Sequence, residues 1–447
     1  MLYLDITTTR ANRWRVPHGI PRVEREIVRA FRDSDAPVTF VRASQETGLL
    51  RTVPPQAVDE VLEARPRQHP AILRYLSGVP AHATGRWLER NFRRGRRRLL
   101  RAVVPSTARA ALPTGSKEDW FLHVGNNWRI FDGLDRCGFA GRLAFLVFDI
   151  IPLTHATMFD LRFARYMLEV ARRADIVFTI SNYSRDTIVR EFPQLRGRVV
   201  VVPLGFDHLG AAAREAATAQ GAEENATAGG AVADRTGEPW RLPADYLLSV
   251  GKLNARKNQA FLLDVIDRFG ETHGDPPSLV LAGSPVAEIY PEYLRYKLEQ
   301  RPWLKRKLVL LDTVDDAALE RLYAGCRAFL FPSLIEGWGM PITEAIAAGK
   351  PVLAMAQGAA EEAGLGFAQL LPDDVGAWSD ALAQMLEAPL SLARQGEMRN
   401  AVAALRWEAT VRMIASTLGT VPARSPSQTI EAVKPLEAFV PNVVSPQ

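Results

Sequence analysis

The chain has 447 residues, 47% hydrophobic and 23% charged, which is long enough for two ordinary domains with real cores. Its 55 Lys and Arg against 50 Asp and Glu leave a net charge of +5, modest for this length, so the distribution of charge matters more than the sum. Two cysteines, Cys137 and Cys326, with neither a pairing pattern nor metal-ligand spacing, exclude a disulfide framework, and no apolar run approaches the roughly eighteen residues of a spanning helix.

The opening MLYLDITTTR lacks a charged leader before a long apolar core, so a reducing cytoplasmic setting is expected. In the first half LYLDITT, PVTFVRA, WFLHVG, RLAFLVFD, DIVFTIS and VVVVP read as strands. The helical patterns GIPRVEREIVRAF and LRFARYMLEVARRA fall between them. Such alternation predicts a parallel sheet covered on both faces. In the first helix Val23, Ile27 and Ala30 make the buried stripe, leaving Arg22, Glu24, Arg25, Glu26 and Arg29 to face elsewhere. Asp33 to Asp35 is an Asp-x-Asp in a helix-to-strand connection, which favours a turn over a divalent-ion site.

An insertion at about 60–112 follows. Within it, Arg86 to Val104 reads RWLERNFRRGRRRLLRAVV, with Leu88, Phe92, Leu99 and Val103 near one helical face and Arg crowding the rest. A basic amphipathic helix of this kind suits an anionic bilayer, with Trp87 and Phe92 at the interface; a solvated helix packed on its own domain is the alternative. Nucleic acid is disfavoured, because no recognition module or aromatic platform accompanies the cations. His123 lies within a strand and reads as structural, whereas Asn126, Asn127 and Trp128 stand at its end, where polar and aromatic side chains suit ligand contact. Asp149 and His155 flank the IIPLT turn after a strand and suit a ligand-facing position, or else a turn cap and a satisfied loop histidine.

Residues 208–240 are rich in Ala, Gly, Thr and Glu and are expected to be a low-complexity linker, with an Ala-rich helix at Gly210 to Gln220 as the alternative. The first domain then spans 1–207, the second 241–420, and a Pro- and Ser-rich tail 421–447. In the second half YLLSVG, LVLAG, KLVLLD, AFLFPS and PVLAM repeat the strand scheme.

Two segments carry the chemistry. After YLLSVG, the stretch KLNARKNQAFLLDVIDRF has Phe261, Leu262, Val265, Ile266 and Phe269 at helical spacing, with Asn258 as the expected N-cap. Arg256 and Lys257 stand at that helix start, where cations are unfavourable unless an anion accepts them; a diphosphate is the natural one, and a solvated basic turn the alternative. Farther on, EGWGMPITEAIAAGKPV follows a strand. Pro341 suits the first helical position, and Gly349 and Pro351 mark the stop. Its loop, Glu336 to Met340, sits at the carboxyl end of a strand and the amino end of a helix, where ligands of α/β folds bind. Gly337 and Gly339 allow close approach of main-chain N–H groups, and Glu344 either helps the helix start or accepts hydroxyl hydrogen bonds.

SVGKLNARKN followed by FPSLIEGWGMPITEAIAAGKPV resembles the carboxyl-terminal half of the retaining glycosyltransferases of family 4, which have the GT-B fold. Glu336 and Glu344 match the family's pair of glutamates, and GIPRVEREIVRAF, FDIIPLTHATMF, ADIVFTISNYSRD, VVPLGFD and LVLAG resemble its recurring segments. The resemblance implies an α/β protein of two Rossmann-like doubly wound domains facing across a cleft. It implies that Arg256 and Lys257 hold a donor diphosphate, Glu344 the nucleotide ribose and Glu336 the transferred sugar, with main-chain amides of Gly337, Trp338, Gly339 and Met340, beside Pro341, facing sugar and phosphate. Gly19 and Gly251 would let the chain approach the donor, and Asp149 and His155 would line the acceptor side. Phe and Leu are usual where Trp338 and Met340 stand, and a His is common where Phe148 stands. The implied activity is metal-independent, cofactor-free hexosyl transfer with retention. GDP-mannose is the preferred donor, with UDP-hexoses or dTDP-rhamnose as alternatives. The acceptor would be a glycan or lipid-linked oligosaccharide in bacterial surface-polysaccharide synthesis, at the inner face of the cytoplasmic membrane. A non-catalytic nucleotide-sugar-binding protein is the rival class.

Overall fold

The structure, a computed structural model, describes residues 1–13, 19–44, 48–64, 115–155, 158–209, 232–233, 239–240, 242–284, 289–312 and 314–420. The basic stretch 86–104, most of the linker and the tail 421–447 lie outside the described residues. The chain forms two compact units. The first contains the described residues up to Pro203 together with the helix Trp407–Thr420, and the second those from Leu204 to Arg406.

In the first unit the strands are β1 (Leu2–Asp5), β2 (Val38–Ala43), β3 (Leu50–Thr52), β4 (Trp120–His123), β5 (Arg142–Leu146), β6 (Ile176–Thr179) and β7 (Val199–Val201). They lie in the order β3-β2-β1-β4-β5-β6-β7, parallel throughout except for the β2–β3 pair. Helices follow most strands because the apolar runs are buried on both faces and need cover on each. Phe121, Phe145 and Val177 meet Phe163, Met167 and Val170 of the helix Leu161–Arg173 in one core. Each such side chain contributes about 1.5–3 kcal/mol by leaving water.

The helix Ile20–Arg32 departs from the expected face pattern: Val23, Ile27, Val28 and Phe31 are buried, but so are Arg22, Glu24 and Glu26, while Ala30 is only half-buried. It is covered by two other helices, Thr7–Asn12 and Trp407–Thr420, the latter with Trp407, Val411, Ile414 and Leu418 buried. Thr410 Oγ1 donates to the Pro203 carbonyl at 2.7 Å, fixing the returning helix to the end of the sheet's last strand segment. The sequence reading grouped these residues with the second domain. Asp33 to Asp35 forms the connection between Ile20–Arg32 and β2, with Asp33 capping the helix.

Within the span expected as a linker, β8 (Val232–Ala233) pairs antiparallel with β9 (Pro239–Trp240). The second sheet contains β10 (Tyr246–Val250), β11 (Ser278–Ala282), β12 (Leu308–Leu311), β13 (Ala328–Phe331), β14 (Val352–Met355) and β15 (Ala368–Leu371), all parallel, in the order β12-β11-β10-β13-β14-β15. Counted within this unit the order is 3-2-1-4-5-6, the doubly wound pattern whose direction reverses between β10 and β13. Leu247, Leu279, Leu330 and Leu353 of the sheet pack with Phe261, Leu262 and Trp378. Loops leaving β10 and β13 on the carboxyl side therefore open at the switch point.

Candidate functional site

Both segments singled out in the second half converge at that switch point. β10 ends at Gly251, and the chain passes through Asn254 into a 3-10 turn, Ala255–Lys257, before the helix Gln259–Thr272. Asn254 caps the turn, its side-chain oxygen accepting from the Lys257 N–H at 2.9 Å. Asn258 is not the expected side-chain cap: it takes the left-handed conformation at φ 53°, joining turn to helix without a capping hydrogen bond. Arg256 and Lys257 consequently lie one turn before the helix rather than in its first turn. Backbone approach is close here, since a Cβ on Gly283, after β11, would meet the Gly251 carbonyl oxygen at 2.0 Å. A Cβ on Gly251 would meet the Lys257 Cε at 3.3 Å, so the lysine stem runs directly over that glycine.

The loop after β13 docks onto this turn. The Leu334 N–H donates to the Arg256 carbonyl at 2.8 Å, and Arg256 Nη1 donates to the Ile335 carbonyl at 2.8 Å. Glu336 then reaches both cations. Its Oε2 pairs with Arg256 Nη1 at 2.5 Å and its Oε1 with Lys257 Nζ at 2.6 Å, while Ser333 Oγ also donates to Oε1. The Glu336 main chain is held separately, its N–H donating to Gln357 Oε1 at 3.0 Å. The anion that accepts the paired cations is thus a protein carboxylate, leaving the trio with one positive charge.

Burial governs the electrostatics of this trio. It would by itself raise the Glu336 carboxyl, but the charges of Lys257 and Arg256 and their hydrogen bonds overcome it and hold the group at about 2. Burial also pushes the Lys257 ammonium below its usual range, opposed by Glu336 and assisted by Arg256. Lys257 Nζ stands 4.8 Å from the centre of the Phe331 ring, an apolar wall on its other side.

The helix Met340–Ala347 starts beside Glu336, one residue earlier than expected, which makes Pro341 its second residue. Gly339 precedes it at φ 109°, a conformation that favours glycine. The first amides of a helix have no intrahelical acceptor, so Met340 brings a donor and the positive end of the helix dipole to the loop. Trp338 Nε1 donates to Thr343 Oγ1 at 3.1 Å, and Thr343 Oγ1 donates to the Ala363 carbonyl at 2.9 Å, fixing the indole across the helix start. Gly337 and Gly339 are buried, whereas Trp338, Met340 and Pro341 are half-buried. Glu344, in the second turn of this helix, accepts from Tyr323 Oη at 2.8 Å and is 8% exposed. Gly349 adopts φ 71° and ends the helix, as expected.

The first-half candidates lie in the other unit. Gly19 sits at φ 58° immediately before Ile20–Arg32, with open space around its Cα hydrogen. Asp149 Oδ1 accepts from the Ile151 N–H at 3.0 Å and so caps the short helix Ile151–Thr154. His155 ends that helix, its Nδ1 3.0 Å from Thr154 Oγ1. His123 is structural: it is buried at the end of β4 in register with Asp5 of β1, and its Nδ1 lies 2.8 Å from Asp5 Oδ2. Glu24 approaches the same strand ends, with Oε1 accepting from the Thr9 N–H at 2.7 Å and from Thr9 Oγ1 at 2.9 Å. Burial, reinforced by Asp5, pushes its carboxyl up to about 8. Asn126 is exposed beyond this cluster, its N–H donating to Thr8 Oγ1 at 2.7 Å.

Residues 244–388, which contain the whole β10–β13 site, match the family of glycosyl transferases group 1. An Escherichia coli relative, O-antigen chain mannosyltransferase B, is 29% identical over 219 residues, covering 48% of this chain and 52% of the relative. The chain therefore spans about half the length of this curated relative. Among solved structures, Thermosynechococcus elongatus sucrose-phosphate synthase aligns over 93% of the chain and 97% of its own at a TM-score of 0.57 and 17% identity. Anabaena HepE, crystallised with UDP and glucose, aligns over 94% and 99% at 0.56 and 16% identity. These likenesses bear out the expected GT-B fold of two parallel-sheet units. No helix among the described residues is long and apolar enough to cross a membrane.

Sequence reasoning missed Tyr323, Ser333 and Gln357, which position the two glutamates. Ser333 ends the predicted AFLFPS run and Gln357 follows PVLAM by two residues, a placement at the carboxyl ends of strands that could have drawn attention to them. Tyr323, on the helix Asp316–Gly325, carries no such local signal.

Proposed function

We propose that the protein transfers a hexosyl group, best a mannosyl group from GDP-mannose, with retention to a glycan or lipid-linked acceptor in the synthesis of a surface polysaccharide. One observation carries the reading: Arg256, Lys257 and Glu336 meet at the switch point of the second sheet, beside the start of the helix Met340–Ala347. As the anomeric carbon–oxygen bond breaks, negative charge grows on the nucleoside diphosphate and the sugar becomes oxocarbenium-like. A guanidinium, an ammonium and helix-start dipoles fixed in advance oppose the first charge without reorganising. Glu336 would face the transferred sugar and Glu344 the ribose hydroxyls. Asp149 and His155 remain proposals for the acceptor side.

The reaction as proposed uses no metal or cofactor, since the diphosphate charge is met by side chains. Mannose as the sugar is supported by the E. coli relative, an O-antigen chain mannosyltransferase. UDP-hexose transfer by the same site is the second reading, supported by the complex of HepE with UDP and glucose. A cytoplasmic location, peripheral at the membrane face through Arg86 to Val104, belongs to the same proposal. A thermal-shift series with GDP, UDP and dTDP, followed by transfer assays with the matching sugars and chelator present, tests it. GDP is expected to raise the melting temperature most and GDP-mannose to be consumed. Failure of all three nucleotides to stabilise the protein would sink the proposal.

A further inference from the structure

The two oxygens of Glu336 are each committed to a different cation, Oε2 to Arg256 and Oε1 to Lys257, and Ser333 Oγ adds a third contact. All three charged side chains are largely withdrawn from water, at 22%, 12% and 11% side-chain exposure for Arg256, Lys257 and Glu336. The loop that carries the carboxylate is anchored as well, Gln357 accepting from its main-chain N–H and the Arg256 carbonyl from the Leu334 N–H, so Glu336 is presented to both cations in the free protein. A diphosphate reaching these cations must share them with a fixed negative group.

We infer that Glu336 acts as an internal counter-anion that weakens the protein's grip on the nucleoside diphosphate leaving group and so speeds its release. The inference rests on the proposed diphosphate position and adds a positioning role to the same site. In the absence of a like charge, a guanidinium and an ammonium at low exposure would hold a diphosphate tightly, and tight product binding slows turnover. Placing one carboxylate between them retains the geometry of the cations while lowering their net charge. The same carboxylate offsets the cost of burying two cations in the free protein.

Calorimetric titration of GDP and of UDP into the wild-type protein, E336Q, E336D and K257A tests this. E336Q is expected to bind the preferred diphosphate about tenfold tighter or more, the order set by removing one like charge at close range. Its inhibition by that diphosphate should sharpen equally. E336D, whose carboxylate is retracted by one methylene, should fall between E336Q and wild type, and it decides the matter if E336Q fails to melt cooperatively. K257A should bind more weakly than wild type. If E336Q and E336D bind no tighter than wild type while K257A is weakened, Glu336 only props the cations and the inference is overturned, with the site reading intact. If K257A binds as wild type does, the diphosphate does not lie on this pair, and both fall together.

Discussion

Tyr323 donates its phenolic hydroxyl to Glu344 Oε2 at 2.8 Å, and both side chains are buried. The helix Asp316–Gly325 thus sets the direction of a carboxylate on the helix Met340–Ala347. Hydrogen bonds to charged groups contribute about 1.5–3 kcal/mol. Tyr323→Phe is expected to weaken binding of a nucleoside diphosphate about tenfold or more, with a smaller loss for the 2′,3′-dideoxy nucleotide, as measured by calorimetry. Equal losses for both nucleotides would show that Glu344 does not meet the ribose.

Lys257→Ala removes one of two cations from the trio while leaving Arg256 to pair with Glu336. Loss of a single preorganised donor at a developing charge costs about 100- to 1,000-fold in turnover. Transfer from the nucleotide sugar should fall by that order, with the melting temperature little changed. Near-wild-type turnover by folded Lys257→Ala would remove the diphosphate from this turn.

Stability should be limited on both sides of a pH window by two buried glutamates. Glu24 has its carboxyl raised to about 8 in the fold from an ordinary 4.5, so the folded state holds the proton more firmly. Its contribution is complete below about 4.5 and is lost as pH rises through about 8. Glu336 is lowered to about 2, so its contribution is present above 4.5 and is lost as pH falls through about 2. Chemical denaturation across pH should show stability declining from pH 5 to 8, and Glu24→Gln should flatten that limb. An unchanged slope in Glu24→Gln would show that Glu24 does not cause the decline.

Gly283 permits the approach of two backbones. An alanine there would place Cβ 2.0 Å from the Gly251 carbonyl oxygen, which no side-chain rotation relieves. Overpacking of this kind costs about 1–3 kcal/mol, and here the backbone that yields is the start of the cationic turn. Gly283→Ala should lower both the melting temperature and nucleotide affinity. Unaltered affinity alongside lowered stability would indicate that the turn is held by Asn254 and the Ser333–Ile335 loop alone.

Much of this fold is written locally. Eleven strands announce themselves as apolar runs, most of them ending in Gly, Pro, Asp or Ser, because strands buried on both faces leave no room for alternation. Four strands were illegible: Val232–Ala233 and Pro239–Trp240 have two residues each, Leu50–Thr52 has three, and Ala368–Leu371 is a half-exposed edge that merges with its flanks. The misread charges on Ile20–Arg32 have a different cause. Glu24 is buried against Thr9 and the loop at Gly125, and helical periodicity carries no information about such distant cover. The cations at Arg256 and Lys257 were legible as needing an anion, but its identity as Glu336 depends on two loops meeting at a switch point. Spacing along the sequence does not encode that meeting.

The return of Trp407–Thr420 to the first unit changes how the protein can be dissected. A gene fragment ending near Ala403 would keep the second sheet and its cations whole. The complementary piece, residues 1–203 alone, would expose an apolar stripe of Ile20–Arg32 to water and invite aggregation, so an excised first half needs the last helix spliced back onto it.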